Sequence, residues 1–237
     1  MEEVIIYGKH AVLAALANPM RKIHKVFCSP ENATEMRPVI GNRKLVVADR
    51  KEFEKLLPLE AVHQGVAATA EALKNVDIDD ICAKTENKEN CSLLILDQVT
   101  DPQNIGAIVR SCAAFGAEAL VVQDKNSPKE SGAMLKAAAG TYEKMPVCRV
   151  TNISRAVEKL KKAGFWVVGM DGYAKDEIAS LQKGGKMAVI MGSEGKGMRR
   201  LVSQSCDMLV RLPISPDVES LNVSNAAAIV LYELSRK

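Results

Sequence analysis

Three short polar stretches hold the residues with chemical potential, and each follows a run of large apolar residues. The first is Asn104-Ile-Gly-Ala-Ile-Val-Arg110. Asn104 and Arg110 are six positions apart, just under two helical turns, so they fall on related faces of one helix. Arg110 is the sole charge between Asp101 and Glu118. An arginine in so apolar a segment is either buried with a partner or turned toward an anion, and the segment alone leaves both open. The second is Gly192-Ser-Glu-Gly-Lys-Gly-Met198, whose glycines let the backbone turn sharply or approach a ligand. Its spacing is neither that of a phosphate loop nor that of a dinucleotide fingerprint. Glu194 suits a cationic or hydroxyl-bearing ligand better than phosphate, and a tight turn with a solvated glutamate is the plainer alternative. Lys196, Arg199 and Arg200 beside it suit a polyanion. The third stretch is Ser220-Leu-Asn-Val-Ser224 with Asn225. It lies behind Pro213 and Pro216 and ahead of an apolar helix over 226–234 that Asn or Ser can cap. Four small polar groups there exceed what one cap needs.

The elements around them predict how they meet. Apolar strands at 93–96, 119–122, 147–150, 165–169, 187–191 and 207–212 alternate with helices, including 104–115, 131–139, 152–162 and 198–203. Continuous apolar strands spaced by helices indicate a mostly parallel α/β sheet covered on both faces. Each polar stretch follows a strand, so all three come to the carboxyl edge, where such sheets bind ligands. Residues 1–75 read as a separate small α/β unit, residues 76–90 as a polar linker with a frayed helix, and residues 91–237 as the larger domain. Within the first unit, His63-Gln64-Gly65 marks a turn between a loop and a strand.

Composition narrows the class. The chain has 237 residues, 47% apolar and 26% charged, which describes an ordinary globular protein. No run of about 18 apolar residues is present to span a membrane, and the acidic Met-Glu-Glu start carries no signal-peptide pattern. Cys28, Cys82, Cys91, Cys112, Cys148 and Cys206 are scattered without a CxxC pair, as expected of free thiols in a reducing cytoplasm. His10, His24 and His63 show no ligand spacing either, so no metal is expected. A net charge of +3 permits an RNA partner without requiring one. Aromatic content of 4% weighs against a base-stacking platform of the RRM kind.

Taken together, the three motifs closely resemble those of the SpoU (TrmH) family, RNA 2′-O-ribose methyltransferases of the SPOUT superfamily. The resemblance spans residues from about 92 to 237. Ile6-Tyr7-Gly8-Lys9-His10-Ala11-Val12 and His63-Gln64-Gly65 resemble the opening and closing patterns of that family's auxiliary RNA-binding domain, which is L30e-like. The resemblance implies a parallel sheet with a carboxyl-terminal trefoil knot, S-adenosyl-L-methionine held around Gly192, Leu212 and Leu221, and a homodimer. It implies that Arg110 is the catalytic arginine, reaching the partner's cofactor, with Asn104, Glu194, Ser220 and Asn222 completing the site. The layout is most similar to members that methylate a guanosine ribose in large-subunit ribosomal RNA. A transfer RNA substrate, or a non-catalytic RNA-binding or ribosome-assembly factor on the same fold, are the alternatives. One departure is Pro216, which stands where the third motif commonly has glycine.

Overall fold

The computed structural model describes residues 2–182 and 184–236. In the first part of the chain come β1 (Glu3–Tyr7), α1 (Lys9–Ala17), β2 (Ile23–Cys28), α2 (Pro30–Ile40), β3 (Lys44–Val47), α3 (Arg50–Leu56) and β4 (Val66–Glu71). After α4 (Ile78–Lys84), the larger part runs β5 (Cys91–Leu96), α5 (Pro102–Ala114), β6 (Leu120–Gln123), α6 (Gly132–Ala138), β7 (Val147–Val150), α7 (Ile153–Lys162) and β8 (Phe165–Met170). It closes with β9 (Asp176–Glu177), β10 (Lys186–Met191), α8 (Arg200–Ser205), β11 (Met208–Arg211) and α9 (Val223–Ser235). Two compact units result: residues 2–74 with 128–144, and residues 75–127 with 145–236.

The first unit is built on a four-stranded sheet ordered β1-β4-β2-β3, in which β4 runs antiparallel to both neighbours. Its second contribution was not readable from sequence, because α6 comes from residues that follow β6 in the larger part. Gly132 at the start of α6 lies so close to β1 that a Cβ would sit 2.4 Å from the Tyr7 ring and 2.5 Å from the Ile5 carbonyl oxygen. A charge cluster fixes the same segment. The Arg21 guanidinium, fully buried, bonds Glu143 through Nε (3.1 Å) and Nη2 (2.7 Å) and pairs with Glu130 through Nη1. Glu130 Oε2 also accepts from the Leu73 amide at 3.0 Å. Burial outweighs Arg21 at Glu130 and holds its carboxyl above the usual carboxylate range.

The second unit is a seven-stranded sheet ordered β7-β6-β5-β10-β8-β11-β9, with every pairing parallel. This is the predicted α/β sheet, and its central strands are buried on both faces. Leu93 and Ile95 of β5 join Val121, Ala188 and Ile190 in a core covered by Val157 and Leu160 of α7 and Val202 of α8. Leu94 and Leu96 alternate to the other side and are equally buried. The polar segment expected to be a linker with a frayed helix holds α4, which is capped and docked rather than frayed. Asp77 closes a capping box with Asp80, and Ile78 and Ile81 enter the core. Two apolar residues one turn apart were enough to dock it. The six cysteines are free; burial pushes the thiols of Cys112 and Cys148 up to about 12 and that of Cys206 to about 11.

Candidate functional site

At the carboxyl edge of the second sheet, β5 and β10 lie side by side and β11 sits two strands away. The segments leaving these strands carry the three motifs. Asp101 caps α5 by accepting from the Gln103 amide (2.9 Å), and Pro102 fills the first helical position, where its missing donor costs nothing. The helix therefore starts two residues before Asn104 and presents that side chain on its first turn. Asn222 caps α9, its Oδ1 accepting from the Ser224 amide at 2.9 Å and the Ser224 hydroxyl at 2.6 Å. The cap is thus the asparagine, and α9 begins three residues earlier than the apolar run indicated.

The remaining donors of Asn222 knit the motifs together. Its Nδ2 donates to Asn104 Oδ1 (3.0 Å) and to Glu194 Oε1 (2.9 Å). Glu194 Oε1 also accepts from the Val223 amide at 3.0 Å. A carboxylate on the first amide of α9 is favoured by the helix dipole. Glu194 is therefore neither idle nor merely solvated, because it holds the amino end of α9 and orients Asn222. Asn104, Glu194 and Asn222 meet as the three-motif convergence anticipated.

Arg110 is different. It is exposed on α5 and has no hydrogen bond or ion pair among the described residues. Of the two readings left open by sequence, the buried ion pair is excluded. Ser220 is exposed and Leu212 and Leu221 are half-buried, flanking residues 213–221. Pro216 lies in an exposed turn, and the one backbone hydrogen bond recorded within that segment joins the Val218 amide to Ser215 (3.0 Å). Just before it, Arg211 Nη2 reaches Glu177 (3.3 Å), while its buried Nε has no partner among the described residues.

Gly192 has no space for a side chain. A Cβ would stand 2.1 Å from the Gly197 carbonyl carbon and 2.3 Å from the Met198 nitrogen. The loop closes on itself there, with the Ser193 and Gly197 backbones exchanging bonds of 3.2 and 2.9 Å.

The structure adds a pair that sequence reading missed. Asp97, fully buried at the end of β5, accepts from the Arg199 amide (2.8 Å) and Nε (2.8 Å) and pairs with its Nη2 (2.7 Å). This clamp ties β5 to the far end of the 192–198 loop. Arg199 was expected to face a polyanion with Lys196 and Arg200, but it is committed to Asp97, and only the other two remain exposed. Gln98, next to Asp97, has a left-handed backbone (φ 62°), strain that a non-glycine residue bears only where surroundings enforce it. A lone aspartate after an apolar strand was the available signal, and it does not name its partner. Among the described residues, no group of three or more His, Cys, Asp or Glu is placed to hold a metal ion. No helix is long and apolar enough to cross a membrane.

The SpoU rRNA Methylase family profile matches residues 92–232, and the profile described as RNA 2′-O ribose methyltransferase substrate binding matches residues 5–76. A Pseudomonas putida protein named 23S rRNA (guanosine-2′-O-)-methyltransferase RlmB is 38% identical, with 98% of this chain and 96% of that one aligned. YacO of Bacillus subtilis, a TrmH family protein whose name leaves tRNA and rRNA both open, is 36% identical over 98% of this chain and 95% of its own. In fold, the chain is similar to the SpoU methyltransferase AviRb from Streptomyces viridochromogenes, solved with AdoMet, at a TM-score of 0.83 and 22% identity over 98% of this chain and 89% of that one. With the family profile matching more than half of the chain and full-length relatives above 30% identity, the chain belongs to the SpoU rRNA methylase family.

Proposed function

We propose that this chain is an S-adenosyl-L-methionine-dependent RNA 2′-O-ribose methyltransferase acting on a guanosine of large-subunit ribosomal RNA. The observation that carries the reading is the Asn104–Asn222–Glu194 junction, which joins all three family motifs in a chain aligned end to end with a protein named for that reaction.

The residues present fit the cofactor. Among the described residues the backbone groups of 213–220 are mostly unpaired, Leu212 and Leu221 flank them, and the buried Arg211 Nε is a donor without a partner. Groups around Gly192, Leu212 and Leu221 would hold it. When bound, the cofactor supplies an electrophilic methyl group on a sulfonium. This chain's part is to position a ribose 2′-hydroxyl in line with it, which accounts for several kcal/mol of a displacement barrier. Arg110 is a poor base, because a guanidinium is always charged in proteins. Its role here is to clamp the adjacent RNA phosphate and stabilise the developing alkoxide. Asn104, Glu194, Ser220 and Asn222 complete the pocket.

Family membership supports three further parts of the reading. The carboxyl-terminal segment threads a trefoil knot. The amino-terminal residues form an L30e-like RNA-substrate domain, with the methyltransferase domain following. The protein works as a cytoplasmic homodimer in which Arg110 reaches the partner's cofactor. Exposure of Ile229 (42%) and Tyr232 (49%) on α9, which packs against α5, favours a partner on that face. YacO's name keeps transfer RNA as a second substrate class.

The test is methyl transfer from labelled S-adenosylmethionine to transcribed large-subunit rRNA and to tRNA, with the modified nucleotide mapped. Transfer to a guanosine ribose of rRNA is expected, and it should be lost in Arg110→Ala. Transfer to tRNA alone selects the second reading, and no transfer to either RNA overturns both.

A further inference from the structure

The first unit has a cleft of about 670 Å³ lined by Ser29, Asn32, Asp49, Phe53, His63 and Gln64, among others. Its floor is an aromatic pair: the rings of Phe53 and His63 stack with centroids 4.3 Å apart. Phe53 is buried and His63 half-buried, so the part of the stack left to solvent belongs to His63. His63 Nδ1 accepts from the Gly65 amide at 3.1 Å. In a neutral imidazole this puts the proton on Nε2, which can then donate. Gln64 stands beside it in a left-handed conformation (φ 56°), followed by Gly65 at 69°. Its Oε1 accepts from Lys136 Nζ (2.6 Å) and the Lys9 amide (3.3 Å). That fixes the side chain by its oxygen and leaves both amide hydrogens free to donate.

The charge around the cleft selects what can enter. Glu31, Asp49 and Glu54 line it against a single arginine, Arg50, which is paired with Glu54. Phosphate is repelled from such a lining, whereas an uncharged base edge with acceptors for His63 and Gln64 and an amino group for a carboxylate is matched. Leu59, 91% exposed, lines the cleft as well and gives apolar cover.

We propose that this cleft takes one unstacked purine base of the RNA substrate, lying on His63 and read by the His63 and Gln64 donors. Single-stranded RNA is recognised in this manner, by stacking on an aromatic face and hydrogen bonds to the splayed-out base edge. Strain at Gln64 is the kind of backbone distortion that functional contacts retain. The proposal rests on the RNA-methyltransferase reading but locates its substrate recognition at a separate place in the chain.

The test uses the full-length protein with transcribed large-subunit rRNA, measuring filter binding and methyl-transfer kinetics. His63→Ala should raise KM and weaken RNA binding by about tenfold to a hundredfold, the worth of one base–aromatic stack, with kcat at saturating RNA unchanged. His63→Tyr, which keeps an aromatic face, should restore most of the loss. Gln64→Gly removes the side chain and the strain together, so it should raise KM while the thermal midpoint holds or rises. A His63→Ala enzyme with KM within about twofold of the parent overturns the proposal. If the parent transfers no methyl group, the enzyme reading fails, and filter binding alone decides the cleft. RNA binding lost in His63→Ala and regained in His63→Tyr upholds it, and equal binding by all variants overturns it.

Discussion

Asn222 Nδ2, at the amino end of α9, donates to Asn104 Oδ1 on α5 at 3.0 Å across 118 positions of sequence. The same nitrogen serves Glu194 at 2.9 Å, so one side-chain amide holds the first turns of two helices and the tip of the glycine-rich loop in register. Only an amide can do so here. Its oxygen caps α9 while its nitrogen supplies two donors to two oxygen acceptors.

Asn222→Asp separates the two halves of that role. The carboxylate keeps the cap and suits the helix dipole, so the cap's share of the thermal midpoint should be retained. It loses both donors and sets a negative charge against Glu194. Methyl transfer should fall by about tenfold to a hundredfold, each 1.4 kcal/mol of lost positioning being a factor of ten. Asn222→Ala should lose similar activity and in addition about 1 kcal/mol of stability with the cap. Steady-state kinetics beside thermal denaturation of both variants checks the split.

Gly192→Ala should open the loop. The obstacle is space, since the added methyl would overlap the Gly197–Met198 backbone, which cannot swing away as a side chain would. Overpacking of this kind costs about 1–3 kcal/mol. Binding of S-adenosylmethionine, followed calorimetrically, should weaken with it, and an unchanged affinity would show that the closed loop is not needed by the cofactor.

Removing either side of the Asp97–Arg199 clamp should cost unequal amounts. Arg199→Ala leaves a fully buried carboxylate without its cation, a loss of about 2–4 kcal/mol, set below the full buried-pair figure because the arginine is about a third exposed. Asp97→Asn retains an acceptor for the Arg199 amide and frees the guanidinium toward solvent, so it should cost less. Arg199→Lys keeps charge without the fork and should fall between the parent and Arg199→Ala. Urea unfolding of the three variants gives the order, and Asp97→Asn proving the most damaging would reverse the account.

In the first unit, Arg21→Met leaves Glu130 and Glu143 buried without their cation, and a loss of about 3–5 kcal/mol is expected at pH 7. The loss should shrink on acidification as Glu130, already raised by burial, takes up a proton. Glu130 also governs part of the parent's own pH response. Its carboxyl is raised in the folded state by burial, so its contribution is fully present below the unfolded value of about 4.3 and declines as pH rises through the higher folded value. Glu130→Gln should flatten that portion of the stability profile, measured by denaturant unfolding from pH 4 to 8.

Local pattern was enough for the parallel sheet and the motifs at its edge, because continuous apolar strands and polar breaks are signals that any fold of this chain must honour. It likewise singled out Asn104, Glu194 and Asn222, polar side chains crowded beside apolar runs in greater number than a turn or one cap requires. Which atoms meet was decided only by tertiary structure. Asp97 finds Arg199 across 102 positions, and Arg21 finds Glu143 across 122. The periodicity of 128–144 does not tell that α6 lies on β1, and the polar composition of 75–90 hides a docked helix. An ion pair or a packed glycine is a relation between distant segments, and a sequence records its partners without recording that they are partners.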